Sequence, residues 1–304
     1  MSELFRSGFV SLIGRPNAGK STLLNALVGQ KVAIVADKPQ TTRTSIQGVL
    51  TLPDAQVVFL DTPGIHKADS PLNKRLMDTV RAALEERDLL LFLVDAAHPF
   101  TEQDRHAVDV VRKSGAPVVL VLNKVDLIKE KARLLPLIEQ YKELFAFADY
   151  VPVSAARGQG LDDLRRVILE HLPEGPAYFP EDHVTDQPER FLAAELIREK
   201  VLLATRQEVP HSVAVEVDKW EETASIRRIY ATVRVERDGQ KGIVIGAKGA
   251  MLKKIGTLAR EEMERIFGGK IYLELHVRVQ PGWREKPAFL NALDWRTMAG
   301  RDDD

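Results

Sequence analysis

The octapeptide Gly14-Arg15-Pro16-Asn17-Ala18-Gly19-Lys20-Ser21 limits what this chain can fold into more than any other stretch. It fits G-x-x-x-x-G-K-[ST], a loop that works only between a strand and a helix, where backbone N–H groups converge on bound phosphates. Both flanks comply. Residues 9–13, FVSLI, form a short apolar run of strand type, and residues 21–28 have helix character and stop at Gly29. The context predicts an α/β sheet with phosphates at its carboxyl edge. Gly14 through Thr22 would line the cradle, with Lys20 on the terminal phosphates and the Ser21 hydroxyl on Mg²⁺.

A second motif selects the base. Asn123-Lys124-Val125-Asp126 follows the apolar run 118–122, so it lies at the carboxyl end of another buried strand. An Asp there accepts two hydrogen bonds from the N1–H and exocyclic amine of guanine. Adenine would leave Asp126 unpaired, which is how such a site rejects the wrong base. Lys124 would lie along the base plane and Asn123 would tie this loop to the phosphate loop. In Ser154-Ala155, after a last strand, the Ala155 N–H is expected to meet guanine O6.

Between these motifs, Asp61-Thr62-Pro63-Gly64 ends the strand-type run 57–60. Asp61 would hold Mg²⁺ through a water, and the Gly64 N–H would meet the γ-phosphate. In Gln40-Thr41-Thr42-Arg43, Thr42 is the expected second hydroxyl ligand, with Thr41 the competing one. Lys20, Thr42 and Gly64 are therefore the predicted catalytic groups. Switch GTPases place a glutamine after D-x-x-G to orient the attacking water. Here that residue is Ile65, which can neither donate nor accept. Backbone, another group such as His66, or a partner must then serve, and slow unassisted hydrolysis is expected.

Strand-type runs near 9–13, 46–50, 57–60, 89–94, 118–122 and 150–153 alternate with helical stretches near 20–28, 72–86, 101–114, 131–145 and 161–171. Such alternation predicts a mostly parallel, doubly wound α/β domain over residues 1–172. The proline-dense stretch 173–188 reads as a stiff, extended linker. A smaller α+β domain is expected over 189–285, then a tail, 286–304. The apolar share, 44%, and the charged share, 29%, suit a globular protein. The chain has no cysteine, which excludes disulfides and thiolate metal sites. No apolar run reaches membrane-spanning length and the N-terminus lacks a signal-peptide layout. A cytoplasmic monomer is expected.

The net charge of −1 hides an uneven distribution: residues 190–289 carry about five net positive charges, the remainder about six net negative. Within the basic part, Gly246-Ala247-Lys248-Gly249 lies between a helical run and the helix pattern 251–267, followed by a strand with strict apolar alternation over 271–279. The order helix–strand–strand–helix–helix–strand is that of a type II KH domain, whose G-x-x-G loop clamps single-stranded RNA. Lys241, Ile245, Gly246, Ala247, Lys248, Gly249, Lys253 and Lys254 are the predicted contacts, the lysines to phosphate. Trp220, Trp283 and Trp295 could stack bases or fill the core.

Together GRPNAGKS, KPQTTR, DTPGIH, NKVD and VSA, followed by IVIGAKGAMLKKIG and VQPGWR, resemble the Era family of bacterial ribosome-assembly GTPases over essentially the whole chain. The resemblance implies binding to the 3′ end of small-subunit ribosomal RNA in the 30S subunit. It also implies peripheral contact with the inner membrane face, and a potassium ion near the phosphates through Asn17. A hydrophobic residue at the position of Ile65 is usual there. Two expectations stand side by side: a hydrolytic switch, and an RNA-binding module whose guanine nucleotide is structural and rarely hydrolysed.

Overall fold

The computed structural model describes residues 5–38, 40–65, 70–85, 87–205, 209 and 212–294. His66, Trp295 and the acidic end 302–304 lie outside the described residues. The chain divides into two compact units, drawn from Met1–Ala33, Thr42–Asp69 and Asn73–Asp186, and from Ile34–Thr41, Ser70–Leu72 and Gln187–Asp304.

The first unit is built on β1 (Arg6–Gly14), β2 (Ile46–Leu52), β3 (Ala55–Asp61), β4 (Leu89–Asp95), β5 (Val118–Asn123) and β6 (Asp149–Pro152). They form one sheet in the order β2-β3-β1-β4-β5-β6. Only β2 runs antiparallel to its neighbour β3. Every residue of β5 and all but the last of β4 are buried, so both faces are covered, and such strands read as unbroken apolar runs. The helices are α1 (Lys20–Val28), α2 (Pro71–Ala82), α3 (Glu102–Val111), α4 (Leu134–Leu144) and α5 (Leu161–His171). Because β3 and β4 flank β1 on opposite sides, the chain reverses direction across the sheet at β1. The crevice at its carboxyl end is where α/β sheets bind ligands.

The second unit contains α6 (Glu189–Ala204), β7 (Ala214–Glu222), β8 (Arg227–Val235), α7 (Asp238–Ile245), α8 (Ala250–Phe267), β9 (Ile271–Val279) and α9 (Pro287–Ala292). Its three strands lie in the order β7-β8-β9, with β8 antiparallel to β7 and parallel to β9. Ile229, Ala231, Val233 and Val235 alternate inward from β8 and are fully buried. Trp283 is also fully buried and donates from Nε1 to the Ser212 carbonyl at 3.1 Å, so it fills the core and stacks on no base. Trp220 packs edge-on against Phe267. The expected tail includes the short helix α9, opened by Pro287 at a first-turn position that favours proline.

The proline-rich stretch differs from the linker predicted. Residues 173–186 belong to the first unit and lie along it. Ser7 N–H donates to the Pro173 carbonyl, Gly175 N–H to Phe5, and Val49 N–H to Val184. Gln56, fully buried, accepts from the N–H groups of Tyr178 and Phe179 at 2.7 and 2.9 Å and donates to the Phe179 carbonyl at 2.9 Å. Proline density forbids regular structure, but it does not stop the remaining N–H groups from being captured by a neighbouring side chain. Gln56→Leu should release this stretch, at roughly 0.5–1.5 kcal/mol for each hydrogen bond lost. The expected outcome is faster chymotryptic cleavage after Tyr178. Cleavage at the wild-type rate would show that Gln56 does not hold it.

Candidate functional site

The phosphate loop sits where the sequence puts it, between β1 and α1. Gly19 starts α1 at φ 95°, and a Cβ there would fall 2.2 Å from Asn123 Nδ2, so the position admits only glycine. Lys20 is buried, and its ammonium donates to the carbonyls of Gly14 and Arg15 at 3.2 and 3.0 Å. Burial pulls its pKa down to about 8 against the attraction of Asp61. Asn17, half-buried, stands in the left-handed region at φ 62°. Arg15 reaches sideways to Thr101 and Asp104 at the start of α3, at 2.9 and 2.5 Å. Asp104 is nearly buried and also accepts from the Thr101 N–H at 2.9 Å, so it caps α3 and anchors the phosphate loop together.

Ser21, Thr42 and Asp61 converge beside Lys20. Ser21 donates to Asp61 Oδ2 at 2.5 Å, Thr42 donates to the same oxygen at 3.2 Å, and the two hydroxyls are 2.9 Å apart. The Thr41 hydroxyl instead donates to the carbonyls of Ala36 and Lys38, so of the two competing threonines only Thr42 faces this cluster. Asp61 is fully buried; burial raises its pKa against the pull of Lys20 and the hydrogen bonds from Ser21 and Thr42. Its Oδ1 has no hydrogen-bond partner. A buried carboxylate oxygen without a donor, beside two hydroxyls, is the hard-oxygen donor set that Mg²⁺ takes.

Thr62 follows, its hydroxyl donating to the Leu12 carbonyl at 2.8 Å, and then Pro63 and Gly64. A Cβ on Gly64 would fall 2.6–2.7 Å from Pro16, so this turn lies directly against the phosphate loop. The Ile65 N–H donates to the Gly14 carbonyl at 3.1 Å, and its side chain is buried in a core with Ile13, Met77 and Val80. Ile65 is thus a packing residue and leaves the water-orienting position without a side chain.

The base end is tied together by Asn123, which donates to the Ala18 carbonyl at 2.8 Å and accepts from Ala155 N–H at 3.0 Å. The Ala155 N–H, expected to meet guanine O6, is therefore engaged by Asn123, because the loop after β6 closes on the end of β5. Asp126 accepts from the Ser154 hydroxyl at 2.6 Å, which chiefly holds its pKa below the usual carboxylate range. Val125 N–H donates to the Val153 carbonyl at 3.2 Å. Lys124, at φ 66°, pairs with Asp95 at 2.7 Å. Asp95, Asp104 and Arg157, whose guanidinium lies 3.5 Å from Asp126, were not singled out from the sequence. A lone acid at a strand end or a lone arginine in a loop carries no local pattern that would reveal it.

In the second unit, Gly246 has φ 70° and a Cβ there would fall 2.7 Å from Met251 Cβ, and Lys248 and Gly249 also have positive φ. The turn so formed joins α7 to α8 with Lys248 and Ala247 exposed; Lys241 and Ile245 on α7 are half-buried. Lys253 is exposed on α8. Lys254 lines a groove of about 500 Å³ with Lys200, Leu203 and Leu258 along α6 and α8.

Family models match at residues 9–124, as a 50S ribosome-binding GTPase, and at 208–284, as a KH domain. GTPase Era of Geobacter metallireducens is 53% identical over 96% of this chain and 98% of its own length. GTPase Era of Syntrophus aciditrophicus is 49% identical over 97% and 96%. A crystal structure of Era in complex with MgGDPNP and nucleotides 1506–1542 of 16S ribosomal RNA superposes with a TM-score of 0.93 at 40% identity, covering 96% of this chain and 99% of that one. A single-residue variant of Aquifex aeolicus Era bound to GDP and aluminium fluoride gives 0.92 at the same identity and coverage. The chain belongs to the Era family of GTPases.

Proposed function

We propose that this chain is a GTP-hydrolysing switch that binds 16S ribosomal RNA near its 3′ end and acts in assembly of the small ribosomal subunit. The observation that carries this is the convergence of Ser21, Thr42 and Asp61 beside Lys20, in a chain that also holds a G-x-x-G turn between two helices. The structural Era relative that binds both MgGDPNP and 16S RNA nucleotides supports it. As part of the same proposal the chain works in the cytoplasm, with the peripheral membrane contact implied by family resemblance. Among the described residues no helix is long and apolar enough to cross a membrane.

The catalytic work is positioning and electrostatics. The backbone from Gly14 to Thr22 cradles the phosphates, and Lys20 supplies a fixed positive charge to the terminal pair. Ser21, Thr42 and the free oxygen of Asp61 would hold Mg²⁺, whose bound charge offsets that on the β- and γ-phosphates. Gly64 offers its N–H where the phosphate loop passes closest. With Ile65 turned into the core, the attacking water is oriented by backbone, by another group such as His66, or by a bound partner, so unassisted hydrolysis is slow. Asp126 pairs with guanine while Ser154 steadies it. Asn17, with an amide oxygen of the type potassium accepts, is the residue through which that ion would act; hydrolysis in potassium against sodium chloride tests it.

Asp126→Asn should lose guanine affinity, at roughly 1.5–3 kcal/mol for the charged hydrogen bonds forfeited, and gain affinity for xanthine nucleotides. Calorimetry decides; unchanged GTP binding refutes the assignment of Asp126. A second expectation concerns protons. Since the Lys20 pKa is about 8 without phosphate and bound phosphate must raise it, GTP binding above that pH should take up a proton. Heats measured in buffers of different ionisation enthalpy reveal the uptake, and its absence would separate Lys20 from the phosphates.

For the RNA loop, Gly249→Asp should exclude RNA by bulk and repulsion while leaving GTP affinity intact. Lys248→Ala should reduce the salt slope of RNA binding by about 0.7, the loss of one phosphate contact on a single strand. Filter binding across a salt series measures both. Wild-type slopes in Lys248→Ala would remove Lys248 from the contact set.

A further inference from the structure

The segment Ile34–Thr41, which leads into the hydroxyl ligand Thr42, belongs by its contacts to the second unit. Ile34 is buried in the core of that unit, with Ala36 packed against it. Two neighbouring residues of α6 hold the segment by its backbone. Glu199 accepts from the Val35 N–H at 2.8 Å near its start. Arg198 donates from Nη2 to the Thr41 carbonyl at its end. Both side chains are almost completely buried. Arg198 is also clamped by Glu195, at 2.7 and 2.6 Å, and Glu199 by Lys200 at 2.7 Å. Inside the loop the Thr41 hydroxyl bonds back to Ala36 and Lys38, so the turn closes on itself before the chain passes to Thr42.

Burying two charged pairs is a poor route to stability, since apolar residues of the same volume often do as well or better. In some proteins such pairs are kept because they fix register. The register at stake is that of Thr41, because the next residue must bring its hydroxyl to Ser21 and Asp61.

We propose that Arg198 is a positioning residue for GTP hydrolysis: by holding the Thr41 carbonyl it sets the register in which Thr42 presents its hydroxyl to the magnesium-binding pair Ser21 and Asp61. Glu199 fixes the other end of the same segment. The proposal rests on Thr42 being the second hydroxyl ligand. The role belongs to the GTP state, the state in which switch segments are ordered by contacts to the γ-phosphate and its metal; bound GDP does not demand it.

The test uses the full chain, with single-turnover GTP hydrolysis measured across Mg²⁺ concentrations and GDP affinity measured alongside. Arg198→Met keeps the apolar stem and removes the donors. It should hydrolyse GTP about tenfold more slowly and need about tenfold more Mg²⁺ for half-maximal rate, the usual scale for losing an outer-shell partner of a metal ligand. GDP affinity should stay within about twofold, which a general loss of structure would not spare. Arg198→Lys, which keeps the charge and one donor, should recover most of the loss. If Arg198→Met does not fold, Glu195→Gln loosens the clamp and should shift the Mg²⁺ requirement in the same direction by a smaller factor. A wild-type Mg²⁺ profile in Arg198→Met, or in Glu195→Gln where only that variant folds, overturns the proposal if Thr42→Ala has lost the response. A wild-type profile in Thr42→Ala itself overturns instead the assignment of Thr42.

Discussion

One buried carboxamide holds the nucleotide site of the first unit together. Asn123 ends β5, donates to the phosphate loop at Ala18 and accepts from the loop after β6 at Ala155. Three loops from three strands therefore share a single side chain. A carboxamide suits the task because it is both donor and acceptor and carries no charge that burial would penalise. Gly19 has no side chain in part because this amide occupies the space where one would stand. That bridge ties the loop carrying Asp126, proposed to read the base, to the loop carrying Lys20, proposed to meet the phosphates. A guanine nucleotide has a fixed length, so the bridge makes the two ends of the site address one molecule.

Around the phosphates the site stores uncompensated polarity. Lys20 and Asp61 are both buried, and burial drives each toward its neutral form while their mutual attraction works against it. In the proposed site a polyphosphate and a divalent cation would relieve both conditions at once, the anion stabilising the charged lysine and the cation, with its bound water, facing the carboxylate oxygen that has no donor. Groups whose desolvation was met when the chain folded are preorganised in the electrostatic sense.

The parts legible in the sequence are those that repeat a local pattern. The strand–loop–helix unit, the order of the nucleotide motifs and the G-x-x-G turn each occupy a few consecutive residues, and the apolar runs of β4 and β5 announce a sheet covered on both faces. What stayed hidden is single polar residues whose meaning comes from a distant partner. Nothing in the neighbourhood of Gln56 says that it will capture Tyr178 and Phe179, so proline density alone reads as a stiff, extended linker. Asp95 and Asp104 look like surface acids until Lys124 and Arg15 reach them. Thr41 and Thr42 are adjacent and chemically identical, and only the path of the backbone turns one hydroxyl toward Asp61 and the other back into its own loop.

Ile65 carries a consequence for the energetics of switching. The close approach of Gly64 to the phosphate loop and the core packing of Ile65 are one peptide bond apart. A γ-phosphate bound as proposed would draw on the backbone of this turn without disturbing the core, but any rearrangement that carries Ile65 outward exposes a whole aliphatic side chain, at about 1.5–3 kcal/mol. A ligand drives such a movement only if it prefers the rearranged state by at least that margin, which is a difference in affinity of roughly 10- to 150-fold. With Gly64 as the proposed γ-phosphate contact, the turn would act as a threshold element: small differences between bound nucleotides would be absorbed at Gly64, and only a change as large as gaining or losing a phosphoryl group would have the free energy to unseat its neighbour.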